Sequence, residues 1–224
     1  MAPSISPRGS FFFGIVCVEE NLSEEAYRSL KEAVTLDPAN ASYNYALGAV
    51  AVQREDTHES LPYFKKYIEL KPDDPRGRLA LGAAYFYSHE DDEARKELEG
   101  VANSPQTAVG ADYYLGRVAN HQGQYAEAIT LLKEALKLSP QFADGYAELG
   151  LVYLKQKQYA EAEKNLNQAL DLDPNSYTAN LNLSIVYQRT KDPRADAQTK
   201  KFEKIRVERA ERAKEFLRTI VVQP

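Results

Sequence analysis

The chain has 224 residues, a formal net charge of −5, 43% hydrophobic residues and 27% charged residues. This composition is typical of a globular protein with enough apolar material for a core, and it excludes a chain that is disordered throughout. The mild negative charge gives no indication of a nucleic-acid or membrane partner. Cys17 is the single cysteine, which excludes an internal disulfide.

The first predicted element is the apolar run 11–18, which follows Arg8. A short apolar run behind a basic residue is also typical of a signal peptide. The other interpretation is the first helix of a repeat array, and it is favoured because Phe13, Gly14 and Cys17 fall in the register described next. No run reaches the roughly 18 to 20 apolar residues that a membrane-spanning helix needs.

A sequence repeat with a period of 34 residues runs along the chain. A large apolar residue followed by a small one recurs at Phe13-Gly14, Leu47-Gly48, Leu81-Gly82, Leu115-Gly116, Leu149-Gly150 and Leu183-Ser184. Further on, small residues recur at Ala26, Ser60, Ala94, Ala128 and Ala162, and prolines at Pro38, Pro72, Pro105, Pro140 and Pro174. Glycine lets two helices cross closely and proline ends a helix, so each period predicts a helix pair.

At these residues the sequence resembles the tetratricopeptide repeat (TPR) family, and a bacterial TPR-domain protein is expected. The resemblance implies an all-α fold: a right-handed α-solenoid of stacked antiparallel helix pairs, the TPR superhelix, with a long C-terminal capping helix. The predicted array, 7–192, has units at 7–40, 41–74, 75–108, 109–142 and 143–176 and a partial unit at 177–192. The unusual ending of the third unit predicts a shortened helix there. Acidic first turns predict N-caps at Ser23 and Asp91.

After Pro193 the repeat positions are lost, and residues 193–221 predict one long, basic, amphipathic helix. Its apolar residues fall near helical spacing at Phe202, Ile205, Ala213, Phe216, Leu217 and Ile220. The simpler interpretation is a cap over the last apolar face of the array, which solenoids require. The second hypothesis is that the distal half, 208–222, docks on another subunit or partner.

The resemblance to the TPR family also implies that the first helices of successive units line a concave groove. Carried onto this sequence, the partner-binding groove consists of Tyr45, Leu79, Phe86, Tyr87, Tyr113, Tyr114, Arg117, His121, Leu151, Lys155 and Arg189. Left bare, such an aromatic surface would exceed what monomers normally expose in one patch, which favours a partner-binding groove. The other interpretation is that tight curvature of the array buries several of these side chains in the core. Tyr113, Tyr114 and Arg117 are the best candidates because Tyr and Arg are enriched at interface hot spots.

One subset of the TPR family grips the acidic C-termini of chaperones through Lys, Asn and Arg in fixed positions of the groove. Here the corresponding positions hold residues such as Tyr45 with Ala49, and Asp144 with Glu148. Binding of a chaperone tail in that way is therefore not expected.

The expected function is a protein-interaction scaffold or adaptor that binds a peptide or helix of a partner in the groove. The three histidines occupy different places in their units, so neither a catalytic constellation nor a metal or cofactor site is predicted. The expected partner is a protein or peptide, with neither nucleic acid nor a membrane span. The alternatives are a self-associating module, homo-oligomeric through the C-terminal helix, and an accessory domain of a larger multidomain protein. The sequence leaves the compartment open, with the cytoplasm slightly favoured over the periplasm.

Overall fold

The computed structural model of the protein describes residues 6–20 and 22–221, with side chains as far as residue 209. Across these residues the chain forms twelve α-helices and no β-strand. The helices are α1 Pro7–Glu19, α2 Ser23–Leu36, α3 Ala41–Gln53, α4 Thr57–Leu70, α5 Pro75–Tyr87, α6 Asp91–Glu99, α7 Ala108–His121, α8 Tyr125–Leu138, α9 Ala143–Lys155, α10 Tyr159–Leu172, α11 Tyr177–Thr190 and α12 Ala195–Val221. The predicted all-α class and the alternation of two helices per period are confirmed.

The chain divides into two compact units, with the division between Val118 and Ala119 inside α7. In the first unit, helices α1 to α6 pack on one another in chain order. In the second unit, α8 packs on α9, and α9 through α12 pack in the same sequential way. Packing on chain neighbours is the stacking expected of a solenoid, in which each repeat contacts mainly its neighbours.

The two helices of a pair cross where the repeat glycine lies. A Cβ atom added to Gly82 would lie 2.6 Å from Cγ of Leu98, and one added to Gly150 would lie 2.6 Å from Cγ of Leu166. Both leucines belong to the second helix of their pair and are fully buried. The glycine therefore leaves the space that the leucine occupies, which explains why both residues recur with the same period.

Side-chain N-caps occur before the first helix of several pairs, whereas the sequence predicted them before second helices, at Ser23 and Asp91. Cap bonds from backbone N–H groups are accepted by Ser6, Asn40, Asp74 and Ser176, which precede α1, α3, α5 and α11. The N-caps predicted at Ser23 and Asp91 are wrong, because both are already helical residues. The preceding residues, Leu22 and Glu90, make no side-chain cap bond. Each instead sits in a tight turn, and its backbone N–H donates to a carbonyl at the end of the previous helix.

The turns inside the pairs share one backbone conformation. Residues with φ between 56° and 76° recur at 34-residue spacing, at Glu55, His89, Gly123, Lys157 and Lys191. The N–H group of the next residue donates to a carbonyl five positions back, as in Asp56 to Ala51 at 2.9 Å and Gln158 to Tyr153 at 2.9 Å. This is the Schellman arrangement, which satisfies carbonyl groups at a helix C-terminus and normally favours glycine in the left-handed position.

The second helix of the third pair is short, as its unusual sequence predicts. Helix α6 has nine residues, whereas α2, α4, α8 and α10 have 14 each. Val101 is buried just beyond its end, and the buried Thr107 Oγ1 donates to the Val101 carbonyl at 2.8 Å. The segment after α6 is therefore an ordered loop that leads into α7.

The N-terminal apolar run forms α1 and packs against α2 and α3. Cys17 is 1% exposed in a core cluster with Leu30 and Leu47, so it behaves as the small buried hydrophobe that the register predicts. Burial raises the pKa of the Cys17 thiol. Phe13 departs from the repeat: the leucines in its position in later units are buried, yet Phe13 is 57% exposed. In the next unit this position, Leu47, packs against residues of α2, and among the described residues no helix precedes α1 to cover Phe13 in that way.

The proximal half of α12 covers α11. Phe202 is buried, and the centroid of its ring lies 5.1 Å from that of Tyr177. Gln198 Nε2 donates to Asn180 Oδ1 at 3.0 Å and so pairs a fully buried amide. This half of the helix acts as the cap predicted for the end of the array. The side chains of the distal half, predicted to dock on a partner, lie outside the described residues from position 210 onward.

Candidate binding surface on the first helices

Four aromatic side chains and one arginine meet on α5 and α7, within the first compact unit. We call Phe86, Tyr87, Tyr113, Tyr114 and Arg117 the aromatic cluster. Ring centroids lie 5.2 Å apart for Tyr113 and Tyr114, 5.6 Å for Phe86 and Tyr87, and 6.1 Å for Tyr114 with either ring of α5. These tilted and edge-to-face geometries are the favoured ones for aromatic pairs. The structure thus brings together five of the eleven predicted groove residues.

Arg117 lies among the rings of the aromatic cluster. Its guanidinium carbon is 4.4 Å from the ring centroid of Phe86, 5.3 Å from that of Tyr87, 5.4 Å from that of Tyr113 and 5.6 Å from that of Tyr114. Its Nη1 also donates to Tyr87 Oη at 3.1 Å. All four distances are within the range of a cation–π interaction. The arginine is therefore held in one orientation, because rings and a hydrogen bond restrict it together.

The aromatic cluster is accessible to solvent. Tyr87 is 42% exposed, and the other four side chains are half-buried. Burial, with Tyr87 close by, raises the pKa of Tyr114 well above its usual range, so the phenol stays neutral at physiological pH. The charge of the cluster itself is therefore that of Arg117.

An open depression of about 570 Å³ adjoins the aromatic cluster in the same compact unit. It is lined by Val52, Gln53, Glu55, Thr57, Tyr87 and Tyr114. The residues from the α3–α4 turn were missing from the predicted groove. Their own sequence carries no signal for this position, because it depends on how α3 stacks beside α5.

The other two predicted residues of the first unit lie away from the aromatic cluster. The Tyr45 ring centroid is 5.7 Å from that of Phe64 and 5.0 Å from that of Tyr67, both buried residues of α4. Leu79 packs against Gly110 at the start of α7, where an added Cβ would lie 3.0 Å from a Leu79 methyl group. Both side chains are half-buried and contribute to packing between helices.

One of the predicted residues of the second unit, Lys155, belongs to a partly buried polar network. Asn120 Nδ2 donates to Glu148 Oε1 at 2.6 Å, and Lys155 Nζ donates to Asn120 Oδ1 at 2.8 Å. Asn120 and Glu148 are buried, whereas Lys155 reaches the surface. The remaining predicted residues of this unit are the half-buried Leu151 and the exposed His121 and Arg189. The sequence does not predict the network, because its members are 28 and 35 residues apart.

The part of the chain that the structure describes contains neither a candidate metal site nor a candidate membrane-spanning helix. There, no group of three or more His, Cys, Asp or Glu side chains is arranged to hold a metal ion. In the same residues, no helix combines the length and the apolar character that crossing a membrane requires.

Comparison with protein families decides the assignment of the repeat. Models of the tetratricopeptide repeat match residues 18–75 and 143–176, and a further TPR repeat model matches residues 116–157. The chain belongs to the tetratricopeptide repeat family. The matched segments cover helices α2 to α4 in the first compact unit and α8 to α10 in the second.

Known TPR proteins share this fold over most of the chain. The Cut9 chain of the APC/C hetero-tetramer Cut9–Hcn1 superposes with a TM-score of 0.81 at 22% identity, over 91% of this chain and 41% of that one. PilF of Pseudomonas aeruginosa superposes with a TM-score of 0.69 at 15% identity, over 90% of this chain and 97% of the PilF chain. At these identities the likeness shows the fold alone.

A curated relative from Homo sapiens, Protein IFIT1 homolog B, is 26% identical over 138 residues. These residues amount to 58% of this chain and 29% of the relative. The chain thus spans less than a third of that protein. Because the similar proteins include human and bacterial ones, the comparisons do not bear out the expected bacterial origin. TPR arrays serve generally as protein-interaction scaffolds, and the shared fold supports that role here.

Proposed function

We propose that this TPR protein is a scaffold that binds a peptide or helical segment of a partner protein along its first helices. The aromatic cluster is the observation that carries the proposal. Rings from two successive first helices and a fixed guanidinium lie on one accessible surface. Peptide-binding grooves typically combine apolar pockets with a few placed polar groups.

The chemistry of the aromatic cluster favours a segment that carries an apolar anchor beside an acceptor group. The open depression next to Tyr87 and Tyr114 provides room for a side chain. Arg117 gives the cluster a positive charge beside its rings, which favours a segment that carries a carbonyl or carboxylate oxygen. Because the rings already restrict Arg117, binding loses little side-chain entropy there.

The test first identifies the segment and then measures its affinity. A photo-crosslinking amino acid placed at Tyr113 labels whatever binds at the cluster, and mass spectrometry identifies the attached peptide. That peptide is synthesised and titrated by fluorescence anisotropy. In the double variant Tyr113→Ala/Tyr114→Ala, affinity should fall by about 30-fold or more, the effect of removing a hot spot of about 2 kcal/mol.

A matched control is available on the second helices. Tyr125 and Tyr159 occupy equivalent positions at the starts of α8 and α10 and are half-buried like Tyr113 and Tyr114. The variant Tyr125→Ala/Tyr159→Ala should retain the affinity of the parent protein. Unchanged affinity in the Tyr113→Ala/Tyr114→Ala variant, with an unchanged helical circular-dichroism spectrum, would place binding elsewhere.

An intrinsic enzyme is not proposed, because the TPR fold typically serves as a non-catalytic scaffold. The alternatives from the sequence are self-association through α12 and an accessory domain of a larger protein, and truncation tests the first of them. Truncation after Arg209 keeps the buried Phe202 and removes the distal half of α12. If that half joined two copies, the truncated protein would show a lower mass in light scattering.

A further inference from the structure

Helix α1 carries an apolar face that nothing in the described chain covers. Phe12 is 53% exposed, Phe13 57% and Val16 52%, which makes them three of the most exposed large apolar residues of the protein. Val16 lies four residues after Phe12 and three after Phe13, and these spacings make it a neighbour of both on the helix surface. The opposite side of α1 holds the buried Ser10, Gly14 and Cys17, which pack inside the first pair.

A positive charge precedes the apolar face of α1 and a negative charge follows it, so two antiparallel copies would pair opposite charges. Arg8, Phe12, Val16 and Glu20 follow at four-residue spacing, and all four are exposed. If a second α1 is laid antiparallel, Arg8 stands opposite Glu20, and Phe12 stands opposite Val16. The row is therefore complementary to its own copy, as an isologous two-fold interface requires.

Arg8, Glu19 and Glu20 lie at the ends of α1 where the helix dipole disfavours their charges. Arg8 lies in the first turn of α1, where a helix N-terminus favours negative charge. Glu19 and Glu20 lie at the C-terminal end, where positive charge is favoured. An antiparallel neighbour places a carboxylate beside Arg8 and a guanidinium beside Glu20, which offsets both unfavourable placements. Within the chain, Arg8 also lies over the Phe12 ring, 5.4 Å from its centroid, and so borders the apolar face.

We propose that two copies of this chain associate antiparallel through the exposed face of α1, with Phe12, Phe13 and Val16 at the centre and Arg8–Glu20 ion pairs at both ends. This surface consists of residues other than those of the aromatic cluster and α12, and the proposal does not depend on the proposed function. Three apolar side chains per copy form a small interface. The dimer should therefore be weak and reversible, with a Kd on the order of 10 to 100 µM.

The test is sedimentation velocity of the full chain from about 5 to about 500 µM, since mass action makes such a dimer concentration-dependent. The parent protein should shift from monomer to dimer, and Phe13→Glu should remain monomeric throughout. Phe13 is mostly exposed, so this variant should fold. Val207→Glu, which changes another exposed apolar residue, is the matched control and should dimerise like the parent.

Charge reversal tests the antiparallel arrangement itself. Arg8→Glu and Glu20→Arg should each weaken the dimer by about tenfold or more, because like charges then face each other at both ends. The double variant Arg8→Glu/Glu20→Arg should restore it. A parent protein that is monomeric at every concentration overturns the proposal, as does a double variant no stronger than the single ones. Loss of the dimer on truncation after Arg209, with no effect of Phe13→Glu, would assign association to α12 and would also overturn it.

Discussion

Gly150 decides how closely α9 and α10 approach each other. The Leu166 side chain fills the space where a Cβ would be, and the carbonyl oxygen of Ala162 lies 3.3 Å from that position. Neither neighbour can move far, since Leu166 is enclosed in the core and Ala162 belongs to helix backbone. One missing methyl group thus sets the distance between two whole helices.

Gly150→Ala should lower the free energy of unfolding by about 1 to 3 kcal/mol, the usual cost of overpacking a core. Urea titration followed by circular dichroism would measure it. The matched control is Gly100→Ala, because a Cβ there meets only backbone oxygens at 3.4 and 3.8 Å, and Gly100 has right-handed helical dihedral angles. Equal effects of the two substitutions would show that the close crossing at Gly150 is not the cause.

The sequence predicts the role of a residue well when the side chains that it contacts belong to the same repeat unit. Gly150 could be assigned to a close helix crossing from the repeat alone, because that crossing lies inside one 34-residue unit. That the Leu166 side chain fills the space beside it comes from the structure. Arg117 was predicted on the binding surface, but its position among four rings was not, since two of those rings come from a helix 30 residues earlier. Phe13 likewise looks like a packing residue in the sequence and is exposed in the structure.

At the scale of elements, the turns inside the pairs place side chains in a backbone conformation that suits glycine. Gly123 has φ 76°, and a Cβ there would meet nothing within 4 Å. Lys157 adopts the same conformation with φ 60°. The left-handed region costs a residue with a Cβ roughly 1 to 2 kcal/mol, so four of these five turns carry a local cost that stacking must offset.

Lys157→Gly should therefore raise the free energy of unfolding by up to about 1 kcal/mol, reduced somewhat by the greater entropy of glycine in the unfolded chain. Gly123→Ala should lower it by about 1 kcal/mol, purely through backbone strain, because the added methyl group meets no neighbour. Both values would come from urea titrations of the two variants and the parent protein. A stabilising Gly123→Ala would show that the turn changes conformation and tolerates a side chain.

Two helices per period were predicted from the repeat, and the short α6 was predicted from the ending of its unit. The caps were not predicted correctly, because acidic first turns at Glu24 and Asp92 suggested caps that the tight turns exclude. A Schellman turn ends one helix and begins the next within three residues, which leaves no extended residue whose side chain could fold back. The side-chain caps instead occur at the longer connections between pairs, such as Asn40 and Asp74.

At the scale of the whole molecule, stacking in chain order inside each compact unit means that a helix depends mainly on its immediate neighbours. Phe202 of α12 packs against Tyr177 of α11, and α11 in turn packs against α9 and α10. In such an array, stability is approximately a sum of repeat terms and nearest-neighbour interfaces. Damage at one end should therefore remain near that end.

Phe202→Ala should reduce protection from hydrogen exchange in α11 and α12 most strongly, with a local cost of about 3 kcal/mol. Helices α1 to α4 should exchange as in the parent protein. The control is Val207→Ala, which shortens an exposed side chain of the same helix. Hydrogen exchange read by mass spectrometry checks both, and a uniform loss of protection in Phe202→Ala would mean that the chain unfolds as one cooperative body.

The fold as a whole was predictable because the same pattern of residues recurs six times at a constant period of 34, and each recurrence predicts the same helix packing. The proposed binding surface was predictable only as a set of positions on the first helices. Which of them converge depends on packing between units, as the inward-facing Tyr45 and the clustered Tyr113 and Tyr114 illustrate. The identity of the bound peptide depends on the sequence of the partner protein, which the sequence of this chain does not encode.

Because Cys17 is buried, its reactivity toward a thiol reagent reports when the first helix pair opens. The chain has one thiol, and it lies in the core of the first helix pair, 1% exposed. A thiol-reactive dye can label it only in molecules whose first pair has separated, so the labelling rate measures the population of that open state. No engineered cysteine is needed, and every variant of the second unit can be checked for effects at the opposite end of the chain.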